Sequence, residues 1–260
     1  MYYINHYTTE PQNYTFDTLF NNELIIITPT KQIKTLKIEE LTEDAKTKLI
    51  NKYNLNNKAQ KIKHVIDNFA PKNLQDLSGS YNIFKIPKHS GGLRTISAPT
   101  GNLKILLETC YNILMKEGYP ILPHNCAYAY IEHRDSYTAL QQHKASDWFL
   151  KLDIKDFFPS CNKALLMEKI PKTFPFNIIQ ELIPEHFEKL IDCCLLKDEL
   201  PQGTNMSPML TNTLMMEFDI KFSTFCKNHN LVYTRYADDM LISGKEKFNF
   251  MYVQNVAIKM

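Results

Sequence analysis

The chain has 260 residues, 44% hydrophobic and 22% charged, a balance that supports one large core or two small ones and excludes disordered and fibrous classes. The net charge of +2 does not by itself announce a binder of polyanions. Seven glycines and 13 prolines are scattered, no solenoid repeat recurs, and no apolar run approaches the ~20 residues of a membrane span. The expectation is a cytoplasmic protein with no membrane partner, no export signal and no tandem domains.

Residues 1 to about 75 are rich in Asn and Lys, with a strand-like run at Leu24 to Thr28 and two helix-like stretches. In the second stretch Ala59, Ile62, Val65, Ile66 and Phe69 recur at helical spacing until Pro71 stops them. This part carries no legible chemistry and is assigned as an N-terminal extension. From Tyr81 to Ala98 two extended runs, YNIFKIP and LRTISA, flank KHSGG, whose glycines supply the positive φ of a tight reversal. The prediction is a β-hairpin with a basic tip. Asn102 is placed to cap a helix with the apolar face Leu103, Leu106, Leu107, Cys110, Ile113 and Leu114, which Gly118 would end.

Trp148, Leu150, Leu152 and Ile154 alternate with Phe149, Lys151, Asp153 and Lys155, the period of a strand with one buried face. Asp153 therefore leaves the strand opposite Leu152. Residues 162 to 197 read as helical, interrupted by prolines at 171, 175 and 184. After the LPQG turn, Ser207 as cap and Pro208 as first residue predict one helix with the stripe Leu210, Leu214, Phe218, Phe222 and Phe225. LVYTRYA and MLISG predict two strands meeting at Ala237, Asp238 and Asp239.

The six cysteines, at 110, 126, 161, 193, 194 and 226, show neither Cys-x-x-Cys nor a paired His-x3-His spacing, so reduced thiols packed in the interior are expected. Of 30 basic residues only Arg94, Arg134 and Arg235 are arginines, each beside a motif, which suggests guanidinium forks where forked recognition is needed. An AT-rich coding sequence explains their scarcity equally well, but not their placement.

Asp153 in LKLDIKDFF, and Asp238 with Asp239 in YADDML, are embedded in apolar strand sequence, where an uncompensated charge costs several kcal/mol. An Asp-Asp pair at a turn is more often simply solvated, and one Asp in a strand is a weak signal. Clustered carboxylates, however, repel one another unless cations compensate them, and divalent ions prefer such oxygen ligands.

With these residues in view the chain resembles the bacterial reverse transcriptases, the branch that includes retron, group II intron and phage-defence enzymes. FKIPKHSGGLRTISAP is similar to the first finger motif and CAYAYIEHRDSYTAL to the second. LKLDIKDFFPS resembles the palm strand with the first catalytic aspartate, LPQGTNMSPMLTN the loop and helix under the incoming nucleotide, and YADD the signature hairpin.

The resemblance implies an α+β right-hand polymerase, with fingers over about 76–147 and 162–199 and palm over about 148–161 and 200–260. It implies an RNA-directed DNA polymerase, with bacterial antiviral defence as one setting. Asp153, Asp238 and Asp239 would be catalytic and would hold two magnesium ions ~3.5 to 4 Å apart, with manganese as a substitute. Lys88 and Arg94 would clamp the triphosphate, and Phe158 would lie under the sugar and reject a 2′-hydroxyl. Gln202 and Gly203 would lie at base and sugar. Ordinary core is the plain reading of Phe158, turn capping that of Gln202, and surface charge that of Lys88 and Arg94. Arg134 and Arg235 stand as template-backbone or structural candidates.

The implied partners are an RNA template, a DNA or RNA primer and deoxynucleoside triphosphates. The sequence stops 21 residues after Asp239, before the thumb of the family, so a separate thumb-supplying chain or a dedicated non-coding RNA joins the expected partners. The retron NAxxH signature is imperfect, with one residue too many between Ala139 and His143. A template-independent, protein-primed DNA synthesiser of the abortive-infection type is the alternative within the same chemistry. A truncated, inactive nucleic-acid-binding remnant is the alternative outside it.

Overall fold

In a computed structural model the protein is described for residues 15–20, 23–27, 33–37, 43–87, 91–115 and 123–260. Lys88 and Gly118 lie outside the described residues. The architecture is α+β with three antiparallel sheets, and the described residues include no helix long and apolar enough to cross a membrane. The described residues form two compact units, one of 123–157 with Thr211–Met260, the other of the described residues between Thr15 and Met115 with Phe158–Leu210.

The second unit begins with a three-stranded antiparallel meander, β1 (Thr15–Phe20), β2 (Glu23–Ile27) and β3 (Ile33–Lys37), where the sequence showed only the central strand. The two expected helices follow as α1 (Glu43–Lys52) and α2 (Leu55–Phe69). The hairpin β4 (Tyr81–Pro87) and β5 (Leu93–Pro99) forms in continuous register from Tyr81↔Pro99 to Pro87↔Leu93, with Gly91 and Gly92 both at positive φ. In α3 (Gly101–Met115) the buried residues are the predicted six, but the helix starts at Gly101. Asn102 is thus inside the first turn, and the Thr100 carbonyl accepts from Lys104 N–H.

The proline-interrupted stretch becomes α5 (Lys163–Lys169), α6 (Phe176–Leu182) and α7 (Pro184–Cys194). The core of this unit joins α2, α3, α6 and α7 through residues such as Ile62, Leu106, Cys110, Phe187 and Cys194, none more than 1% exposed. All six cysteines are free and buried.

The other unit is built on a sheet of order β6-β8-β7, with β6 (Trp148–Asp153), β7 (Leu231–Tyr236) and β8 (Asp239–Gly244). Before β6 lies the short helix α4 (Ser136–Gln141), capped by a reciprocal bond pair between Asp135 and Thr138. The helix predicted to run unbroken through Leu210 and Phe225 is instead two, α8 (Met206–Leu214) and α9 (Met216–Asn228), and a final helix α10 spans Phe250–Lys259. The cap also shifts. Thr204 Oγ1 accepts from Ser207 N–H at 3.1 Å, so Ser207 is already inside the first turn. One face of the sheet buries Tyr233, Met240 and Ile242 with Phe222, Cys226 and Val253, and Leu150, Leu152 and Ile154 pack on this core as the alternation requires.

Candidate active site

Strand periodicity assigns Lys151 and Asp153 of β6, Asp239 and Leu241 of β8, and Thr234 and Tyr236 of β7 to the sheet face away from that core. Asp153 stands directly opposite Asp239 in the antiparallel ladder, and Ile154 N–H donates to the Asp238 carbonyl at 3.1 Å. Paired Cα atoms in such a ladder are about 4.5 to 5.5 Å apart. Carboxylates 86 positions apart in the chain are thereby neighbours. The connecting turn has two residues, Ala237 and Asp238, and Ala237 has φ +58°, the sign that a type II′ hairpin requires at its first turn position. Tyr236 pairs with Asp239, so Asp239 already belongs to the strand and only Asp238 stands at the bend.

Lys151 was not singled out from the sequence. Its Nζ lies 2.7 Å from Asp239 Oδ1. The hydrogen bond to Asp239 is the largest influence holding its ammonium above the ordinary lysine value, with charge from Asp153 and Asp238 adding to it. A cation is therefore drawn to the crowded carboxylates. The legible signal was its position two residues before Asp153 in a strand, hence on the same face.

Arg235 is wholly buried. Its Nε donates to Asp219 at 2.9 and 3.1 Å, Nη2 to Asp219 Oδ2 at 2.6 Å and to Asn212 Oδ1 at 3.2 Å, and Nη1 to the Ala237 carbonyl at 2.9 Å. Burial opposes its charge, but the Asp219 carboxylate outweighs burial and keeps the guanidinium firmly protonated. A residue so enclosed cannot touch a template backbone, which decides its role as structural. Arg134 likewise serves the chain itself, donating to the His124 and Ala127 carbonyls at 3.1 and 2.7 Å. His143, buried, bridges Ser243 Oγ at 2.6 Å and Thr234 Oγ1 at 2.8 Å, and burial lowers its pKa, favouring the neutral ring that can donate once and accept once.

Arg94, Phe158, Gln202 and Gly203 belong to the other unit. The Arg94 strand and the Gln202 loop are joined there, because Ser97 N–H donates to the Gln202 carbonyl at 2.7 Å. Gly203 has φ +122°, and a Cβ on it would stand 2.8 Å from the Ser97 carbonyl oxygen. The close approach that this glycine permits is to β5. Gly203→Ala is therefore expected to destabilise the protein by about 2 to 4 kcal/mol, from backbone strain and overlap together. Equilibrium denaturation measures it, and an alanine variant as stable as the parent would show that the loop is not held against β5. Phe158 is 8% and its neighbour Phe157 5% exposed, so either ring offers at most an edge to solvent.

A family model described as reverse transcriptase (RNA-dependent DNA polymerase) matches residues 86–256. The chain is 29% identical over 173 residues to the retron Ec83 reverse transcriptase of Escherichia coli, covering 64% of this chain and 54% of that protein. It is 31% identical over 179 residues to the retron Mx162 reverse transcriptase of Myxococcus xanthus, covering 65% of this chain and 36% of that protein. With the retron Ec73 reverse transcriptase of Escherichia coli it shares 32% over 173 residues, 62% of this chain and 52% of that protein. The matched part thus spans about half or less of these relatives' length. The family match covers well over half of the chain and contains Asp153, Asp238 and Asp239 together with Arg94, Phe158, Gln202 and Gly203, and on that ground the chain belongs to the reverse transcriptase family.

Proposed function

We propose that the chain is the polymerising part of an RNA-directed DNA polymerase, adding deoxynucleotides to a primer 3′-hydroxyl on an RNA template. The observation that carries this reading is the β6–β8 pairing, which sets Asp153 opposite Asp239 beside the Asp238 turn inside the family-matched segment. In this reading residues 148–161 and 200–260 are palm, 76–147 and 162–199 are fingers, and the first 75 residues are an added extension.

The donor set fits magnesium. Its ligands would be carboxylate oxygens at an accessible edge, where a hard cation can keep part of its water. Lys151 already places a positive charge on Asp239. Among the described residues no three His, Cys, Asp or Glu side chains converge as a ready-made metal cage. Asp153, Asp238 and Asp239 would hold the metal, and manganese, which also accepts oxygen ligands, would substitute. When bound, a pair of ions would supply the charge that acidifies the primer hydroxyl and steadies the departing pyrophosphate.

The remaining roles belong to side chains. Arg94 would grip phosphate oxygens with its planar fork, and Lys88 would add a point charge. Gln202 and Gly203 would meet base and sugar. Phe158 would leave no space for a 2′-hydroxyl.

The test is primer extension on an RNA template, comparing deoxyribonucleotides with ribonucleotides in the parent and in Phe158→Val. The parent should extend with deoxyribonucleotides. The variant should lose discrimination roughly 10- to 100-fold, since a hydroxyl formerly rejected by overlap is now accommodated. Equal loss with both sugars and a lower melting temperature would return Phe158 to the core. A folded parent unable to extend any primer on RNA would refute the polymerase reading.

A further inference from the structure

We propose that Arg235 is a positioning residue for the Asp238–Asp239 turn, its guanidinium gripping the Ala237 carbonyl and thereby fixing the backbone from which both carboxylates project. The inference rests on reading those carboxylates as the metal-binding group.

Ala237 is held at φ +58° without being glycine, a left-handed conformation that persists in an alanine only where its surroundings impose it. One contact can impose it: Arg235 Nη1 donates to the Ala237 carbonyl oxygen at 2.9 Å. The other groups of the fork are anchored. Asp219 takes Nε and Nη2, and Asn212 takes Nη2 while donating its own amide to the Ala129 carbonyl at 3.0 Å. Asp219 also accepts from Tyr233 Oη at 2.9 Å.

The Arg235 main chain is pinned as well, its N–H donating to the Cys126 carbonyl at 2.6 Å and its carbonyl accepting from Tyr128 N–H at 2.8 Å. Packing alone does not call for such a group, since well-packed apolar residues commonly replace a buried ion pair without loss of stability. What an apolar pair cannot do is hold a turn carbonyl at a set distance. A planar fork can engage a carboxylate along one edge and keep a further N–H for that carbonyl, whereas a lysine ammonium is a compact point charge.

Arg235→Lys separates the two roles, because it keeps a cation for Asp219 and removes the fork. The full chain, parent and variant, is titrated with Mn2+ and followed by electron paramagnetic resonance, and hydrogen exchange is compared over residues 231–244 at a temperature where both are folded. The expected results are Mn2+ affinity at least tenfold weaker and faster exchange confined to the hairpin. In DNA synthesis the variant should need more metal and show lower kcat with unchanged KM for the nucleotide.

A folded lysine variant with the parent's Mn2+ affinity and the parent's exchange would overturn the proposal. Should the variant not fold, the unmutated chain decides: Mg2+ must shift the Arg235 Nε–H nuclear magnetic resonance signal, because coupling between two sites is reciprocal. A signal indifferent to Mg2+ overturns the proposal too. If metal binding and hairpin exchange respond as expected while the parent makes no DNA, the clamp stands and the polymerase reading falls.

Discussion

Asp238→Asn is expected to leave the protein folded and to remove the metal-dependent DNA synthesis proposed for it. The side chain stands half-buried at a two-residue turn, where an isosteric amide disturbs little packing. In the proposed reading it removes one negative metal ligand from the carboxylates beside Asp153. Stabilisation of transition-state charge by a bound metal is worth several kcal/mol, so a loss of roughly 10²- to 10⁴-fold in kcat is expected. Raising magnesium should restore only part of it, because misplacement of the hydroxyl is not cured by occupancy. Steady-state primer extension beside a thermal melt checks this, and unchanged extension by a folded variant would place the chemistry elsewhere.

The second large effect concerns stability. Phe222 is fully buried under the sheet, with ring centroids 5.2 Å from Phe218, 5.8 Å from Phe225 and 4.9 Å from Tyr233. Phe222→Ala should cost about 3 to 5 kcal/mol through lost burial and the cavity left behind. That is a large fraction of the roughly 5 to 15 kcal/mol that keeps a domain folded. Denaturant titration gives the number. A cost under about 1 kcal/mol would mean that the α9 stripe does not pack against the sheet as described.

The local elements were legible because each left a periodic trace. The alternation at Leu150, Leu152 and Ile154 marked β6, and the i, i+3, i+4 spacing from Leu103 to Leu114 marked α3. Helix ends were less legible. Ser207 and Asn102 are good capping residues, but so are Thr204 and Thr100 nearby, and a choice among adjacent hydroxyls and amides depends on how the entering loop is held. The break between α8 and α9 falls at Met215, a good helix former, and leaves no residue-level signal.

Asp153, Asp238 and Asp239 can be read directly from the chain as charges set in apolar strands, in motifs whose order matches one family. So can the glycine-turned hairpin and the buried faces of the main helices, because these depend on neighbours within a few residues. That Asp153 faces Asp239, that Lys151 reaches Asp239, and that Arg235 belongs to Asp219 and the Ala237 carbonyl became visible in the folded chain alone. The reason is physical. Strand register and the pairing of buried charges are set by contacts between segments distant in the chain, and a lone arginine in a strand reads the same whether its fork meets nucleic acid or a carboxylate from a neighbouring helix.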